Sequence, residues 1–440
     1  MSRIKVSRVV AAVWVALATG IGAKAQDGAY SAYSPYTVYG IGDISQQGTA
    51  FNKSMGGVGI ATRNRAYINY LNPAAVTARD TLSFMADVGL SMQNKLFRQG
   101  DIKSANNTFN IYDFAFSFPI YKKSAMVFGI TPFSDVGYDF SHRVDDPLIV
   151  GQTGNITYSS YGDGSLYQLF GGIGATFWDR FSVGAQLLYY FGNLDKNTQM
   201  TFASSSYRNL YSTYKFQLHA LTGKFGLQYE QPLSGGYYVT AGATYRMGTS
   251  MRGYVSEARY ATVSNVADTL GSRRDTLSRG SVKLAAEAGL GVSLRRGDKW
   301  SAEINYLRTD WSRSGFDSAF GFSSVGAAAF SSTCSESLRA GFSYTPNRND
   351  IRYFWRRCTY RGGVYYDKAY YKYDGHAVNS YGLTFGITLP IKGYLHNGIT
   401  LGADLGQKGR LQGEMTRERY ALFVVGFNIH DIWFTKFQYD

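Results

Sequence analysis

One stretch of sequence decides the class of fold: Tyr381-Gly382-Leu383-Thr384-Phe385-Gly386-Ile387-Thr388-Leu389, in which large apolar residues occupy every odd position. In a β-strand successive side chains point to opposite faces, so this stretch has one apolar face and one face of Gly and Thr. The same period recurs at 300–306 and 337–344. Segments of about ten to fifteen residues match the length that a tilted strand needs to cross an outer membrane. The pattern therefore predicts strands with one apolar face.

The alternation alone does not separate a soluble β-sandwich, whose apolar faces point inward, from a membrane barrel, whose apolar face points to lipid. Composition favours the barrel, because the chain has 36 Tyr, 50 Gly and only 8 Pro, as expected for twisted strands with aromatic belts. No apolar run of 18 residues follows the N-terminus, which excludes a helical membrane protein. We predict an all-β fold, a transmembrane antiparallel β-barrel of about fourteen strands.

The first 25 residues resemble a secretory signal peptide. An apolar run at 9–21 is preceded by three basic residues and followed by Ala23-Lys24-Ala25, so cleavage is expected before Gln26. The formal charge then falls from +14 to +10, because Arg3, Lys5, Arg8 and Lys24 leave without an acidic residue. The remaining Lys and Arg are scattered rather than clustered, which indicates contacts with outer-membrane lipid and no nucleic-acid partner. The predicted location is the outer membrane of a Gram-negative bacterium.

The gaps between the proposed strands alternate in length, as they do in outer-membrane barrels with short periplasmic turns and long external loops. A typical short turn is Trp178-Asp179-Arg180. The predicted long outer loops are 142–164, 196–212, 252–280, 312–334 and 408–417. Aromatics beside the short turns and the C-terminus are expected to form an inner girdle: Phe177, Trp178, Trp300, Phe354, Trp355, Trp433 and Phe434. Both chain ends are therefore predicted to face the periplasm.

Residues 26–81 lack period-two alternation and are rich in Gly, Ala, Asn and Tyr. They contain the runs 54–61, Ser-Met-Gly-Gly-Val-Gly-Ile-Ala, and 69–75, Asn-Tyr-Leu-Asn-Pro-Ala-Ala. These runs resemble the N-terminal hatch of outer-membrane transport proteins of the long-chain fatty-acid transporter (FadL) type. The resemblance implies a fourteen-stranded barrel, 82–440, with 26–81 as a plug in its lumen. Arg63-Asn64-Arg65 departs from the acidic or small residue usual in that family.

Two further runs resemble the Bacteroidota branch of the same family. They are 34–43, with Ser34-Pro35-Tyr36 and Tyr39-Gly40-Ile41-Gly42-Asp43, and 132–138, Pro-Phe-Ser-Asp-Val-Gly-Tyr. Some related barrels of that phylum are subunits of protein-export or assembly machines. The resemblance therefore implies two different roles, transport and complex formation.

Asn72, Pro73 and Ala74 are the plug or gating candidates. Pro73 lacks a backbone donor and Asn72 can bond its own backbone, so together they favour a fixed turn. A simple helix terminator is the alternative reading of the same residues.

A set of charged residues on the predicted strands is expected to face the lumen. Both signs occur, which favours ion pairs across the lumen or with the plug over a selectivity filter. The set is Asp113, Arg246, Lys283, Glu287, Glu303, Arg339 and Asp404.

Motifs for chemistry are missing from the sequence. It has no Gly-x-Ser-x-Gly elbow, phosphate-binding loop or His-Glu-x-x-His helix, and its five His residues are dispersed. We therefore predict no enzyme activity, no cofactor and no metal. Strand curvature explains the Gly pairs at 172/174 and 289/291 better than nucleotide binding does. Cys334 and Cys358 are predicted to be free thiols, with Cys334 opposite Tyr366 in its hairpin.

Two functions remain open. The first is passive uptake of a hydrophobic or amphipathic small molecule, released towards the periplasm or sideways into the bilayer. The second is a non-enzymatic structural subunit of an outer-membrane protein assembly or secretion complex, which would bind envelope proteins. Transport predicts an apolar pocket inside the barrel, whereas a partner role predicts exposed apolar loop patches.

Overall fold

The computed structural model describes residues 33–80, 82–144, 147–263, 266–322, 330–391, 397–413 and 415–432. The predicted signal peptide, Trp433 and Phe434 lie outside these ranges. Twenty strands are present in the described part: β1 Asp43–Ile44, β2 Ser83–Gln99, β3 Ile102–Tyr121, β4 Ser124–Arg143, β5 Ile156–Phe177, β6 Phe181–Phe202, β7 Asn209–Leu233, β8 Tyr237–Arg246, β9 Thr249–Ser250, β10 Arg252–Val263, β11 Val266–Thr276, β12 Lys283–Leu284, β13 Glu287–Arg296, β14 Trp300–Asp310, β15 Phe330–Ser332, β16 Cys334–Tyr344, β17 Thr359–Tyr373, β18 His376–Pro390, β19 Gly398–Lys408 and β20 Arg417–Ile432.

Fourteen of these strands form a closed antiparallel barrel, as predicted. Each pairs with its neighbour along the chain, in the order β2 to β8, β13, β14 and β16 to β20. The last strand, β20, pairs with β2 from Ser83↔Ile432 to Arg98↔Arg417 and closes the ring. We call the end that carries residues 178–180 the turn end and the opposite end the loop end.

The alternation predicted from sequence is the alternation observed. On β18, Thr384 is buried and Phe385 is 54% exposed, and the same contrast continues along the strand. The exposed face is apolar, as expected for a wall that meets lipid instead of water. The face assignment at 381–389 is therefore correct.

The loops differ from the predicted ones, because several strands continue beyond their alternating segments. β5 begins at Ile156, inside predicted loop 142–164, and β6 and β7 take in most of 196–212. Predicted loop 252–280 contains the hairpin of β10 and β11. Outside lipid a strand needs no apolar face, so the hydrogen-bond ladder continues where the sequence period is lost.

Two connections at the loop end are tight turns instead of long loops. They are Gly100–Asp101 between β2 and β3, and Asp374–Gly375 between β17 and β18. Gly100, Asp374 and Gly375 all have positive φ, the conformation that two-residue hairpin turns require. Tyr366 pairs with Leu338, four positions from the predicted partner Cys334, and the two cysteines are free.

The wall parts between β3 and β4. These strands pair only from Phe114↔Ile130 to Tyr121↔Ser124, at the turn end. From that point towards the loop end, β3 stays paired with β2 and β4 stays paired with β5, but β3 and β4 are not paired with each other. The register of β3 against β2 shifts at Tyr112, two residues beyond the last residue that pairs with β4, and such a bulge bends a strand. We call the unpaired stretch of the wall the seam.

Helices are few and short in the described ranges. The α-helices are Ala50–Lys53, Pro147–Thr153 and Phe354–Arg357, and the 3-10 helices are Pro35–Val38, Pro73–Thr77 and Ser234–Gly236. Over the residues that the structure describes, no helix has the length and hydropathy needed to cross a membrane.

Residues of predicted outer loop 312–334 fold against the N-terminal residues. Phe316 and Phe322 are fully buried, and Tyr39 stacks on Phe330 with ring centroids 5.3 Å apart. Trp311 and Tyr370 join the same apolar cluster. This loop therefore supplies buried aromatic residues at the loop end, in contrast to the polar external loop expected from sequence.

Candidate functional site

Residues 33–80, the N-terminal segment, press directly against glycines of the barrel wall. At several glycines outside this segment an added Cβ atom would come within 3.0 Å of one of its atoms, and eight of them lie on β5 to β8, β16 to β18 and β20. The eight, which we call the glycine row, are Gly174, Gly184, Gly226, Gly242, Gly341, Gly363, Gly386 and Gly426. They lie on eight different strands, and Gly174, Gly184 and Gly226 are direct cross-strand neighbours. Because these glycines have no side chain, the N-terminal segment lies close to the backbone of the wall.

The gating candidates Asn72, Pro73 and Ala74 lie in this close contact. An added Cβ at Gly226 would be 2.0 Å from the Asn72 Oδ1, and one at Gly184 would be 2.3 Å from the Pro73 carbonyl carbon. The Asn72 amide donates to the Ile60 carbonyl at 2.7 Å, and its Oδ1 accepts from the Ala74 N–H at 3.0 Å. Asn72 thus caps the start of the 3-10 helix Pro73–Thr77. The alternative of a helix terminator is wrong, since the helix begins here.

Glu303 holds the middle of the N-terminal segment. Its carboxylate accepts from the Ala61 backbone N–H at 2.8 Å and from the Thr62 hydroxyl. The neighbouring Ser293 hydroxyl donates to the Ala61 carbonyl at 3.0 Å. A buried carboxylate is tolerated only with such donors, so Glu303 and residues 61–62 stabilise each other.

The other predicted lumen charges are distributed over several contacts. Arg246 and Glu287 pair at 3.7 Å, Arg339 pairs with Asp367 at 2.9 Å, and Asp404 accepts from the Tyr365 hydroxyl at 2.8 Å. Asp113 is buried and interacts electrostatically with Asp87 and Lys53. Lys283 differs from the rest, because it is exposed on the short strand β12 and not on a barrel strand.

A cavity of about 450 Å³ touches both the N-terminal segment and the wall. Most of its charged lining residues were missed from sequence, including Lys408 with Asp43 at 2.5 Å and Lys95 with Glu418 at 3.8 Å. Positive and negative side chains occur in equal number, seven of each: Lys53, Lys95, Lys224, Arg246, Arg339, Lys368 and Lys408 against Asp43, Asp135, Glu287, Glu336, Asp367, Asp404 and Glu418. The charged side chains of the lining are therefore balanced in sign, and they lie among apolar and aromatic residues.

The cavity reaches the seam, where its lining changes character. Ile44, Ile111, Phe133 and Tyr167 line this part. Ile111 is 64% exposed on the outward face of β3, so one residue borders both the cavity and the surface expected to meet lipid. Strand β1 covers part of the gap by pairing Asp43↔Asp135 and Ile44↔Ser134. The N-terminal segment thus lies along one margin of the seam.

The sequence contains only a partial signal for the contacts between the glycine row and the N-terminal segment. The glycines of the row sit at inward positions of period-two strands, yet the same composition fits strand curvature, which was the predicted reading of Gly174 and Gly291. The close approach of Pro73 at Gly174 and of Ile60 at Gly291 explains them better. Within the described ranges, no group of three or more His, Cys, Asp or Glu residues could hold a metal ion.

The closed barrel, its apolar outer face and the inward contacts of the N-terminal segment define an outer-membrane β-barrel of a Gram-negative bacterium. The chain belongs to the BamG family, whose family model matches residues 5–440. A search of curated proteins found no match to the sequence.

Solved structures share the fold over most of the chain. The toluene transporter TbuX of Ralstonia pickettii is 15% identical with a TM-score of 0.57, covering 87% of this chain and 98% of that one. The toluene transporter TodX of Pseudomonas putida is 12% identical with a TM-score of 0.58, covering 89% and 100%. A Pseudomonas aeruginosa FadL homologue is 12% identical with a TM-score of 0.54, covering 89% and 99%. At these identities the likeness establishes the FadL-type fold.

Proposed function

We propose that the protein mediates passive uptake of hydrophobic or amphipathic small molecules, which leave the lumen sideways through the seam between β3 and β4. One observation carries this proposal: the cavity extends to the place where these two strands are unpaired. A ligand at the seam passes from the lumen to the lipid without breaking hydrogen bonds between paired strands of the wall. The barrel of the P. putida toluene transporter supports it by likeness of fold.

We assign residues 33–80 the role of a plug that blocks the straight path to the turn end. The glycine row supports this assignment, because eight strands approach the segment closely at positions that carry no side chain. Displacing the segment would break the Glu303 and Asn72 contacts together. A sideways route needs no such displacement, so the proposed plug stays docked during uptake. Asn72, Pro73 and Ala74 then act as fixed anchors and not as a moving gate.

The proposed ligands are amphipathic, since the two parts of the cavity differ in polarity. Ile44, Ile111 and Phe133 border the seam, whereas ion pairs such as Lys408–Asp43 line the interior. An apolar tail would lie at the seam and a polar group would face the paired charges. Origin in the Bacteroidota, suggested by residues 34–43 and 132–138, belongs to the same proposal.

Uptake of the fluorescent hydrophobic probe N-phenyl-1-naphthylamine by cells that carry the protein tests the route. The variant Ile111→Trp narrows the seam while it keeps the lipid-facing residue apolar. We expect the rate of uptake to fall several-fold. The matched control is Ile173→Trp on β5, where the wall is fully paired and Ile173 is similarly exposed, at 54%. Equal rates for both variants and the unaltered protein would contradict the proposed route.

A second candidate function, a subunit of an outer-membrane assembly or secretion complex, is favoured by the connection 345–358. Other connections at the turn end are as short as two residues, but this one contains a helix and four arginines. Ile351 at its tip is fully exposed, and Trp355 is more than half exposed. Exposed apolar residues beside arginines are typical of contact surfaces between proteins.

Purification in mild detergent at native expression level, followed by identification of associated proteins, tests the second candidate. A stoichiometric partner that is lost with Ile351→Asp and Trp355→Ala, and retained with Trp178→Ala, would support a subunit role. Trp178 is the matched control because it is exposed at the tip of a short turn at the same end. A lone barrel with normal probe uptake would leave the transport proposal standing by itself.

A further inference from the structure

A second cleft lies at the loop end of the wall, outside the site described above. Its volume is about 540 Å³, and it lies where β8 ends at Arg246 and β14 ends at Asp310. Between these ends the barrel ladder is interrupted, because β10 continues upward with β7 and β11 instead of pairing with β13. The chain fills the interruption with the short pair β9 and β12.

The backbone brings three segments of this cleft side by side. Lys283 pairs with Ser250 across β9 and β12, and its N–H donates to the Ser314 carbonyl at 2.8 Å. The Met251 N–H donates to the Val282 carbonyl at 2.9 Å. Arg252 and Arg313 adjoin these bonded residues in sequence, so their side chains emerge close to Lys283. The short pair thus acts as a scaffold for basic residues.

The lining of the cleft is strongly positive. Four of its side chains are cationic, namely Arg252, Arg279, Lys283 and Arg313, and one is acidic, Asp310. All four cations are exposed, and within the described part of the chain none forms an ion pair or a side-chain hydrogen bond. The Asp310 carboxylate accepts from the N–H and the hydroxyl of Ser312. Grouped like charges repel each other, so the cleft is stabilised when an anion enters it.

The position of the cleft relative to the lipid-facing surface indicates the source of the anion. Tyr245 and Met247, immediately before it in the chain, are exposed apolar residues at the outer end of β8. With the loop end outward, as predicted from sequence, the cleft lies at the level of the outer-leaflet headgroups. The outer leaflet of this membrane carries glycolipids with phosphate groups, and arginine forks bind phosphate oxygens in pairs.

We infer that this cleft binds the phosphorylated headgroup of an outer-leaflet glycolipid. The guanidinium groups of Arg252, Arg279 and Arg313 and the Lys283 ammonium bind the phosphate oxygens. The tails of the glycolipid lie along the apolar wall below, beside Tyr245 and Met247. This binding site is independent of the seam and of the proposed transport.

The test uses the full-length protein in detergent and measures its affinity for lipid A, which carries two phosphates. The triple variant Arg252→Gln, Lys283→Gln, Arg313→Gln is expected to bind about a hundredfold more weakly. Each basic residue near an anionic surface contributes roughly 1 kcal/mol, and about 1.4 kcal/mol is a factor of ten. All three residues are exposed, so the variant is expected to unfold at the same temperature as the unaltered protein.

The matched control replaces three exposed cations elsewhere at the loop end, Lys103→Gln, Arg143→Gln and Arg410→Gln. It is expected to retain the affinity for lipid A. Unchanged affinity in the first triple variant, or an equal loss in the control, would overturn the inference. Binding of dephosphorylated lipid A with the same affinity would do so too. Competition by millimolar inorganic phosphate would show a site for free anions and overturn the assignment to lipid.

Discussion

At the scale of single residues, contacts between glycine and backbone fix the N-terminal segment. Gly184 faces Pro73, and an added Cβ there would lie 2.3 Å from the Pro73 carbonyl carbon and 2.4 Å from its oxygen. Backbone atoms cannot turn away as a flexible side chain can. Replacement by a larger residue therefore has to move the segment or bend β6.

Gly184→Val is expected to destabilise the docked segment by about 1 to 3 kcal/mol, the usual cost of overpacking. Limited proteolysis of the folded barrel measures the effect as faster cleavage within residues 33–80. The control Gly171→Val lies on neighbouring β5, where an added Cβ would meet nothing within 4 Å. Cleavage at equal rates in the two variants would show that the close approach at Pro73 has no energetic weight.

Lys53 is expected to make the docking of the N-terminal segment depend on pH. Its ammonium donates to the Gln46 carbonyl at 2.6 Å and lies over the Tyr112 ring. Burial lowers the pKa of Lys53 to about 8, against the opposing attraction of Asp113 and Asp404. Below about pH 8 the amine carries its proton in both the docked and the released state, and docking bears the full cost of burying the charge.

Between about pH 8 and the ordinary pKa of 10.5, the docked amine is neutral while the released one is still charged. Docking is therefore expected to strengthen as the pH rises through this window. Protease protection of residues 33–80, measured from pH 7 to pH 10.5, would show the increase. In Lys53→Met the same titration should be flatter. Protection that falls with rising pH in the unaltered protein, yet not in the variant, would contradict the assignment.

At the scale of elements, the two faces of one strand contact different surroundings. Phe385 on β18 points to lipid, while Thr384 beside it is buried and accepts from the Gly56 N–H at 2.7 Å. A lumen position such as Thr384 would be expected to tolerate a charge in an open channel. Here the N-terminal segment occupies the lumen beside Thr384. Thr384→Arg would therefore disturb this segment and is not a suitable control for Phe385→Arg.

Phe385→Arg is expected to destabilise the barrel by roughly 2 to 4 kcal/mol, if the residue lies near the bilayer midplane. Urea unfolding in lipid vesicles measures the loss. A suitable control is Leu270→Arg on β11, which is equally exposed but belongs to the hairpin beyond the membrane wall. A comparable loss at both positions would mean that β18 does not face lipid.

At the scale of the whole molecule, the fourteen strands and the N-terminal segment have separable tasks. The ladder closes through β20 and β2 without help from residues 33–80. Deleting residues 26–75 should therefore leave a barrel that inserts, with a lumen open to small solutes. Conductance in a planar bilayer is expected to rise above that of the intact protein.

The control for this deletion removes residues 256–274, most of the hairpin of β10 and β11, which pairs with the loop-end part of β7 and is not one of the fourteen strands of the ring. Its conductance should match that of the intact protein. If the deletion of residues 26–75 also leaves conductance unchanged, something other than the N-terminal segment closes the lumen.

The sequence by itself determined the class of fold, the strand count and the outward face of the strands. Alternation at 381–389 follows from the two-residue period of a strand that contacts lipid on one side. This period is visible within each strand segment and needs no information from the rest of the chain. The Asn72-Pro73 turn could likewise be predicted from the sequence, because both residues act on their own backbone. The wall residues that this turn contacts could not be predicted.

Only the tertiary structure decided how the inner space is used. Gly184 and Pro73 are 111 positions apart, and Arg252, Lys283 and Arg313 are separated by 31 and 30 positions along the chain. Local periodicity contains no information on such distant pairs. The seam depended on the same kind of information, since a bulge at Tyr112 parts β3 from β4 while β1, from the N-terminal segment, pairs with β4. Contacts between remote segments set these features, because the residues that meet are far apart along the chain.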